Sequence, residues 1–159
     1  METLKILSGV RGEGKTYDLL EEFSESLMEK EYYELRENNV EHEDDVLGCD
    51  TALNYNIVLI VHKDNLDSTR KRLNEVHLIN MDNVEYEINA VWDEKSLLAV
   101  IKEYSKIADS IFYIDDADKI LSGNNVCEVL LNLINSYPNE TTKYSFSVTA
   151  CMNTKNSKV

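Results

Sequence analysis

A chain of 159 residues has room for one substantial hydrophobic core, so a single domain spanning 1–159 is expected, and 43% hydrophobic with 29% charged residues is the composition of a folded globular protein rather than a disordered one. The formal net charge of −14 repels nucleic-acid phosphate at long range, so direct DNA binding by this chain alone is not expected. No apolar run nears the length of a membrane span, METLKIL lacks the basic segment and long apolar core of a secretory signal, and Cys49, Cys127 and Cys151 form no C-x-x-C pair, which together point to a cytoplasmic protein with no membrane role, no disulfide framework and no zinc knuckle.

In chain order, Leu4 to Val10 is a short β-prone stretch that runs into a glycine-rich loop. A helix begins at Lys15 with Leu19, Phe23 and Leu27 on one stripe, and its continuation EKEYYELRENNVEHEDDVLG loses that stripe, which predicts a frayed helix end and a solvated loop to about residue 50. Asn56 to His62 is apolar almost throughout, as a strand covered on both faces of a parallel sheet would be. NLDSTRKRLNEVHL reads as the helix that follows, with Arg70, Lys71 and Arg72 forming a solvated, ion-pairing face and Asp67 four residues before Lys71. From Val84 to Trp92 apolar and polar residues alternate, which predicts a strand near a sheet edge. EKSLLAVIKEYSKIA is a third helix, SIFYIDDAD a third apolar strand ending in acid, NNVCEVLLNLINSY a fourth helix stopped by Pro138, and KYSFSVTACM a last strand. This alternation predicts an α/β fold, a mostly parallel sheet of about five strands with flanking helices.

Three of the five glycines fall in SGVRGEGKTYD. Gly9, Val10, Arg11, Gly12, Glu13, Gly14, Lys15 and Thr16 complete G-x-x-x-x-G-K-[ST], the spelling of a P-loop, and they stand after a strand and before an amphipathic helix. A phosphate chain needs backbone N–H groups at close range, which glycine permits, and the helix that starts at Lys15 adds the positive end of its dipole. In such a loop Lys15 reaches the β- and γ-phosphates and Thr16 sets its hydroxyl on Mg²⁺, so ATP and Mg²⁺ are the expected cofactors. Hydrolysis needs a second site. The strand SIFYI delivers Asp115 to the C-terminal edge of the sheet as the candidate metal carboxylate, with Asp116 beside it as candidate catalytic base; a helix cap is the structural alternative for this acidic pair.

These motifs resemble P-loop NTPases of the additional-strand, catalytic-acid class, and within it the ATPase domain of phage DNA-packaging motors, the large terminase subunit. G-V-R-G-E-G-K-T is similar to their Walker A, in which an arginine stands where Arg11 does, and the resemblance implies a cis role for Arg11 near the γ-phosphate. IVLIVHKDNLDSTRKRL is similar to the segment after helix one, with His62-Lys63 where an Arg-Lys pair is usual. YSFSVTACMN resembles the strand that couples hydrolysis to motion, with Thr149 or Asn153 as polar sensor. At position 116 the class usually has Glu; Asp is one methylene shorter. The resemblance also implies that this last strand lies between the P-loop strand and the acid-bearing strand, leaving the P-loop strand at an edge unless a partner, the tail from Asn153 to Val159 or a longer chain covers it.

The function expected is Mg-dependent ATP binding and hydrolysis in a phage-type packaging or translocation ATPase, working as a homo-oligomer or with a protein partner and meeting DNA only through the assembly. A nucleotide-gated protein-binding module, such as a helicase loader or regulator, is the alternative, and a nucleoside kinase a third.

Overall fold

The computed structural model describes residues 3–9, 14–38, 55–78, 85–122, 125–136 and 144–153. Strands β1 (Thr3–Gly9), β2 (Tyr55–His62), β3 (Ile88–Val91), β4 (Asp109–Ile114) and β5 (Phe146–Asn153) form one sheet in the order β1-β5-β4-β2-β3, every pair parallel. Helices α1 (Lys15–Asn38), α2 (Leu66–Arg72), α3 (Glu94–Ser105), α4 (Ala117–Leu121) and α5 (Val126–Ser136) cover it. Among the described residues no helix is long and apolar enough to cross a membrane.

Burial on both faces explains the apolar central strands. In β2, Val58 and Ile60 enter one layer with Phe112 and Ile114 of β4 and Phe146, Val148 and Ala150 of β5; Leu59 and Val61 enter the other with Tyr113 and Cys151. The first layer is closed by α3, α4 and α5 through Leu97, Ile101, Ile120 and Leu130. The second is closed by α1, where Leu19, Leu20, Phe23 and Leu27 recur at helical spacing. Phe23 sits edge-on to Tyr113 with centroids 5.8 Å apart, and its full burial contributes about 2–3 kcal/mol.

The elements differ from expectation in four places, each with a local cause. Helix α1 continues to Asn38, because EKEYYELREN is rich in helix formers even without an apolar stripe; Lys30 ties this part to the sheet by donating to the Tyr55 carbonyl at 2.9 Å. Residues 39–54 lie outside the described residues. Of the alternating 84–92 segment, Val84 lies outside the described residues and the rest is a strand only over Ile88–Val91, where β2 offers ladder partners from Leu59 to His62; it is the edge strand expected. The segment after β2 is not one uniform helix: Lys63–Asn65 is a 3₁₀ turn, α2 follows, and Leu73–His77 is a π turn closed by the Leu78 N–H donating to the Leu73 carbonyl at 2.7 Å. Helix α3 ends at Ser105 rather than near 108, and begins in a capping box between Asp93 and Ser96; the Ser96 N–H and hydroxyl hold the Asp93 carboxyl below its ordinary value. Pro138, the expected stop for α5, lies outside the described residues, two beyond that helix's last residue, Ser136.

Strand β5 separates β1 from β4, in register from Thr3 beside Ser147 to Gly9 beside Asn153. Among the described strands β1 has only this one neighbour and forms one edge of the sheet.

Candidate functional site at the C-terminal edge of the sheet

Because the strands are parallel, the C-terminal ends of β1, β5, β4 and β2 rise to one edge, where ligands of open α/β sheets bind. Of the glycine-rich loop, Gly9, Gly14, Lys15 and Thr16 lie within the described residues and Val10, Arg11, Gly12 and Glu13 outside them. Gly14 has φ of 81°, a backbone angle that requires glycine, and no atom of the described residues beyond its chain neighbours lies within 4 Å of where a Cβ would stand. Its carbonyl accepts from the Asp18 N–H at 3.0 Å, starting α1 and leaving the N–H groups of Lys15 and Thr16 at a positive helix end.

Asp115 follows directly on β4. Its N–H donates to the Ile60 carbonyl at 2.9 Å, extending the β2–β4 ladder one step, and the residue is 3% exposed. Three donors converge on one carboxylate oxygen, Oδ1: the Thr16 hydroxyl at 3.1 Å, the Asp116 N–H at 3.0 Å and the Cys151 thiol at 2.7 Å. The first joins the two sequence motifs across 99 positions. A small notch of about 250 Å³ opens here, lined by Thr16, Asp115 and Asp116 with Asn65 and Arg72 of the segment after β2.

Asp116 starts α4 in the left-handed region, φ 51° and ψ 48°, at a cost of about 1–2 kcal/mol for an L-residue that Asp pays less heavily than most. Its carboxylate makes no cap bond to α4; Oδ2 instead accepts from the Asn65 side-chain amide at 2.6 Å, so the helix-cap alternative does not describe it. Burial pushes the Asp116 carboxyl above its ordinary value and the charges of Asp115 and Asp118 add to the rise, opposed by the Asn65 hydrogen bond and Lys119. Two residues on, Asp118 Oδ1 accepts from the Asn153 N–H at 3.1 Å and fastens α4 to the end of β5.

A cleft of about 730 Å³ extends from this notch over Gly14, Lys15 and Thr16 to Asp116, Asp118 and Asn153, a volume suited to a small-molecule ligand. Asn153 thus reaches the cleft. Thr149 does not line it: it lies lower in β5, in register with Lys5 and Tyr113. His62 is buried, its Nδ1 accepting from the Asp64 N–H at 3.1 Å, and Lys63 is exposed; neither lines the cleft. Asp67 and Lys71 form no ion pair within 4 Å, although Arg70, Lys71 and Arg72 are all exposed as expected.

Sequence reasoning missed Asn65, Asp118, Arg72 and Cys151. Asn65 and Asp118 carry a legible signal, since each is polar and within three residues of a strand end or its acidic pair; Arg72 and Cys151 do not. The thiol of Cys151 is raised far above its ordinary value by burial and by the Asp115 carboxylate beside it. Iodoacetamide at pH 8 is therefore expected to label exposed Cys127 and to spare Cys151 until denaturant is added, as peptide mapping by mass spectrometry would show. Equal labelling of both in the native protein would break the assignment of this thiol to Asp115.

The fold and this edge define an α/β protein with a five-stranded, all-parallel sheet and a cleft at the strands' C-terminal ends. The chain matches no family model, no curated protein and no solved structure.

Proposed function

We propose that this chain is a P-loop NTPase that binds Mg²⁺-ATP in the cleft and hydrolyses it. The observation that carries the reading is the hydrogen bond from Thr16 to Asp115, which places the hydroxyl of G-x-x-x-x-G-K-[ST] on the carboxylate at the end of an apolar strand. These two oxygen donors fit Mg²⁺, a hard cation that takes one or two carboxylates and completes its shell with waters and phosphate oxygens. Bound there, the ion supplies Lewis-acid charge to the phosphate. The N–H groups at the start of α1 bind phosphate, and Lys15, at the same helix end, neutralises it. Asn65 fixes the Asp116 carboxylate, and the raised affinity of that carboxylate for a proton suits it to take one from water.

The favoured setting is a phage-type packaging or translocation ATPase, on the resemblance of the Walker A with Arg11, the segment after β2 and β5. The net charge of −14 disfavours direct DNA contact, so DNA would be met through an assembly or protein partner. One observation favours the nucleotide-gated binding module instead: Asp116 is short and its Oδ2 is already bonded to Asn65.

Phosphate release and Mg²⁺-ATP affinity, measured for the native sequence and Lys15→Ala, test the reading. Lys15→Ala should weaken binding and lower turnover about 10²-fold or more, because the lysine touches phosphate in both ground and transition states. Tight binding by the native chain without phosphate release selects the binding module. ADP formation only when a nucleoside is present selects a kinase.

A further inference from the structure

The cleft carries a cation that the P-loop does not supply. Arg72 closes α2 and lines both the large cleft and the notch at Thr16, Asp115 and Asp116, whereas Arg70 and Lys71 line neither. Thr69, one turn earlier, and Leu73, the next residue, are buried, so the helix is held with Arg72 on the flank between core and cleft. The π turn that begins at Leu73 strengthens this hold. Its wider spacing lets Leu73, His77 and Leu78 all bury, with Leu73 and Leu78 in the layer of α1; His77 Nδ1 lies 2.9 Å from Glu21 Oε1 and the His77 ring 4.7 Å from that of Tyr17. The segment bearing Arg72 is thus fastened to the first turns of the helix whose N-terminus carries Lys15 and Thr16.

Charge makes the placement informative. The chain has 30 acidic and 16 basic residues, yet Arg72 forms no ion pair among the described residues, while the other cation of this cleft outside the P-loop, Lys119, lies 3.6 Å from Asp64 Oδ2. An exposed guanidinium that lines the same notch as Asp115 and Asp116, and has no carboxylate partner among the described residues, is placed to receive an anion that arrives with the ligand.

We propose that Arg72 is a catalytic residue acting in cis, its guanidinium binding the γ-phosphoryl oxygens of the nucleotide; this rests on the NTPase reading above. In hydrolysis the oxygen of water forms a bond to the γ-phosphorus as the bond to the β–γ bridging oxygen breaks. The electron pair leaves on the ADP β-phosphate, the water proton passes to Asp116, and ADP and inorganic phosphate result. Arg72 forms no covalent bond; it offsets the charge on the γ-phosphoryl oxygens, which is greatest in the transition state.

Arg72→Ala, Arg72→Lys and, as control, Arg70→Ala should be compared with the native chain for phosphate release at saturating Mg²⁺-ATP, and by calorimetry for affinity toward Mg²⁺-ADP with and without aluminium fluoride, which mimics the transferring phosphoryl group. Arg72→Ala is expected to lower kcat by on the order of 10³. Its Mg²⁺-ADP affinity should stay within about threefold of native while the gain in affinity on adding fluoroaluminate disappears. Arg72→Lys should recover little of either, because an ammonium lacks the planar fork. Native kcat and a native fluoroaluminate gain in Arg72→Ala overturn the proposal and leave the NTPase reading standing. Loss of Mg²⁺-ADP binding in Arg72→Ala also overturns it, since the role would then be in ground-state binding. A native chain that binds neither nucleotide overturns both readings, and where native turnover is slow the fluoroaluminate comparison decides.

Discussion

Asp115→Asn is expected to lower Mg²⁺-dependent phosphate release by on the order of 10³ or more while leaving part of the nucleotide affinity in place. Thr16, Cys151 and the Asp116 N–H all donate to Oδ1, and the amide oxygen of Asn can take that position. The amide NH₂ then occupies the place of Oδ2. A group that can only donate, and carries no charge, is a poor neighbour for a hard cation. Packing changes little, since the two side chains have nearly the same shape, and the backbone donors at the start of α1 are untouched. The measurement is phosphate release at saturating nucleotide over a Mg²⁺ titration, with binding measured separately. Unchanged turnover would move the metal carboxylate to another residue.

Asp116→Asn should separate catalysis from stability. Turnover is expected to fall by about 10²–10⁴, the range for removing a positioned base. Stability should rise where the native carboxyl is charged. The Asp116 carboxyl is raised in the folded protein, chiefly by burial and then by Asp115 and Asp118, so the folded chain holds that proton more tightly than the unfolded chain does. Its favourable contribution is complete below the ordinary carboxylate range and is lost as pH rises through the raised folded value, above which a half-buried charge remains. The amide removes that charge and still accepts from Asn65. In metal-free, nucleotide-free buffer Asp116→Asn should therefore melt above the native chain at a pH above the raised folded value, with the difference closing as pH falls from that value to below the ordinary carboxylate value. A lower melting temperature above the raised folded value would mean that the Asn65 bond to the charged form outweighs desolvation.

The layers of this fold were legible because burial on both faces leaves little choice of residue. Ile57–Val61 and Ile111–Ile114 alternate between the two cores residue by residue, and no polar face survives there to obscure the strand. What failed were the boundaries set by partners rather than by pattern. The 84–92 alternation reads as nine residues of strand, yet β2 offers ladder partners to only four. The charged second half of α1 gave no apolar period, and propensity with the Lys30 contact carried it to Asn38. At the site, glycine spacing and a strand ending in Asp-Asp marked Gly14, Lys15, Thr16, Asp115 and Asp116. Arg72 was hidden because a basic triplet on a helix looks the same whether one member faces a cleft or none does; the π turn that fixes its flank is set by packing on α1, which no local pattern encodes. Cys151 resembled any core thiol until the register placed it beside Asp115.

The place of β5 governs how the protein comes into being. It follows every other described element in sequence, yet it lies inside the sheet, with β1 on one side and β4 on the other. While residues 146–153 are still being synthesised, the strand leading into the glycine-rich loop has no described neighbour to pair with, and Asp115 lacks the thiol donor that β5 brings. Assembly must therefore wait for contacts between the two ends of the described chain, Thr3 with Ser147 through Gly9 with Asn153, a topology that slows folding and leaves a growing chain with open strand edges. A ribosome-bound chain that has not yet released β5 lacks the strand between β1 and β4, so the cleft at their C-terminal ends stays incomplete until residues 146–153 are free to pair.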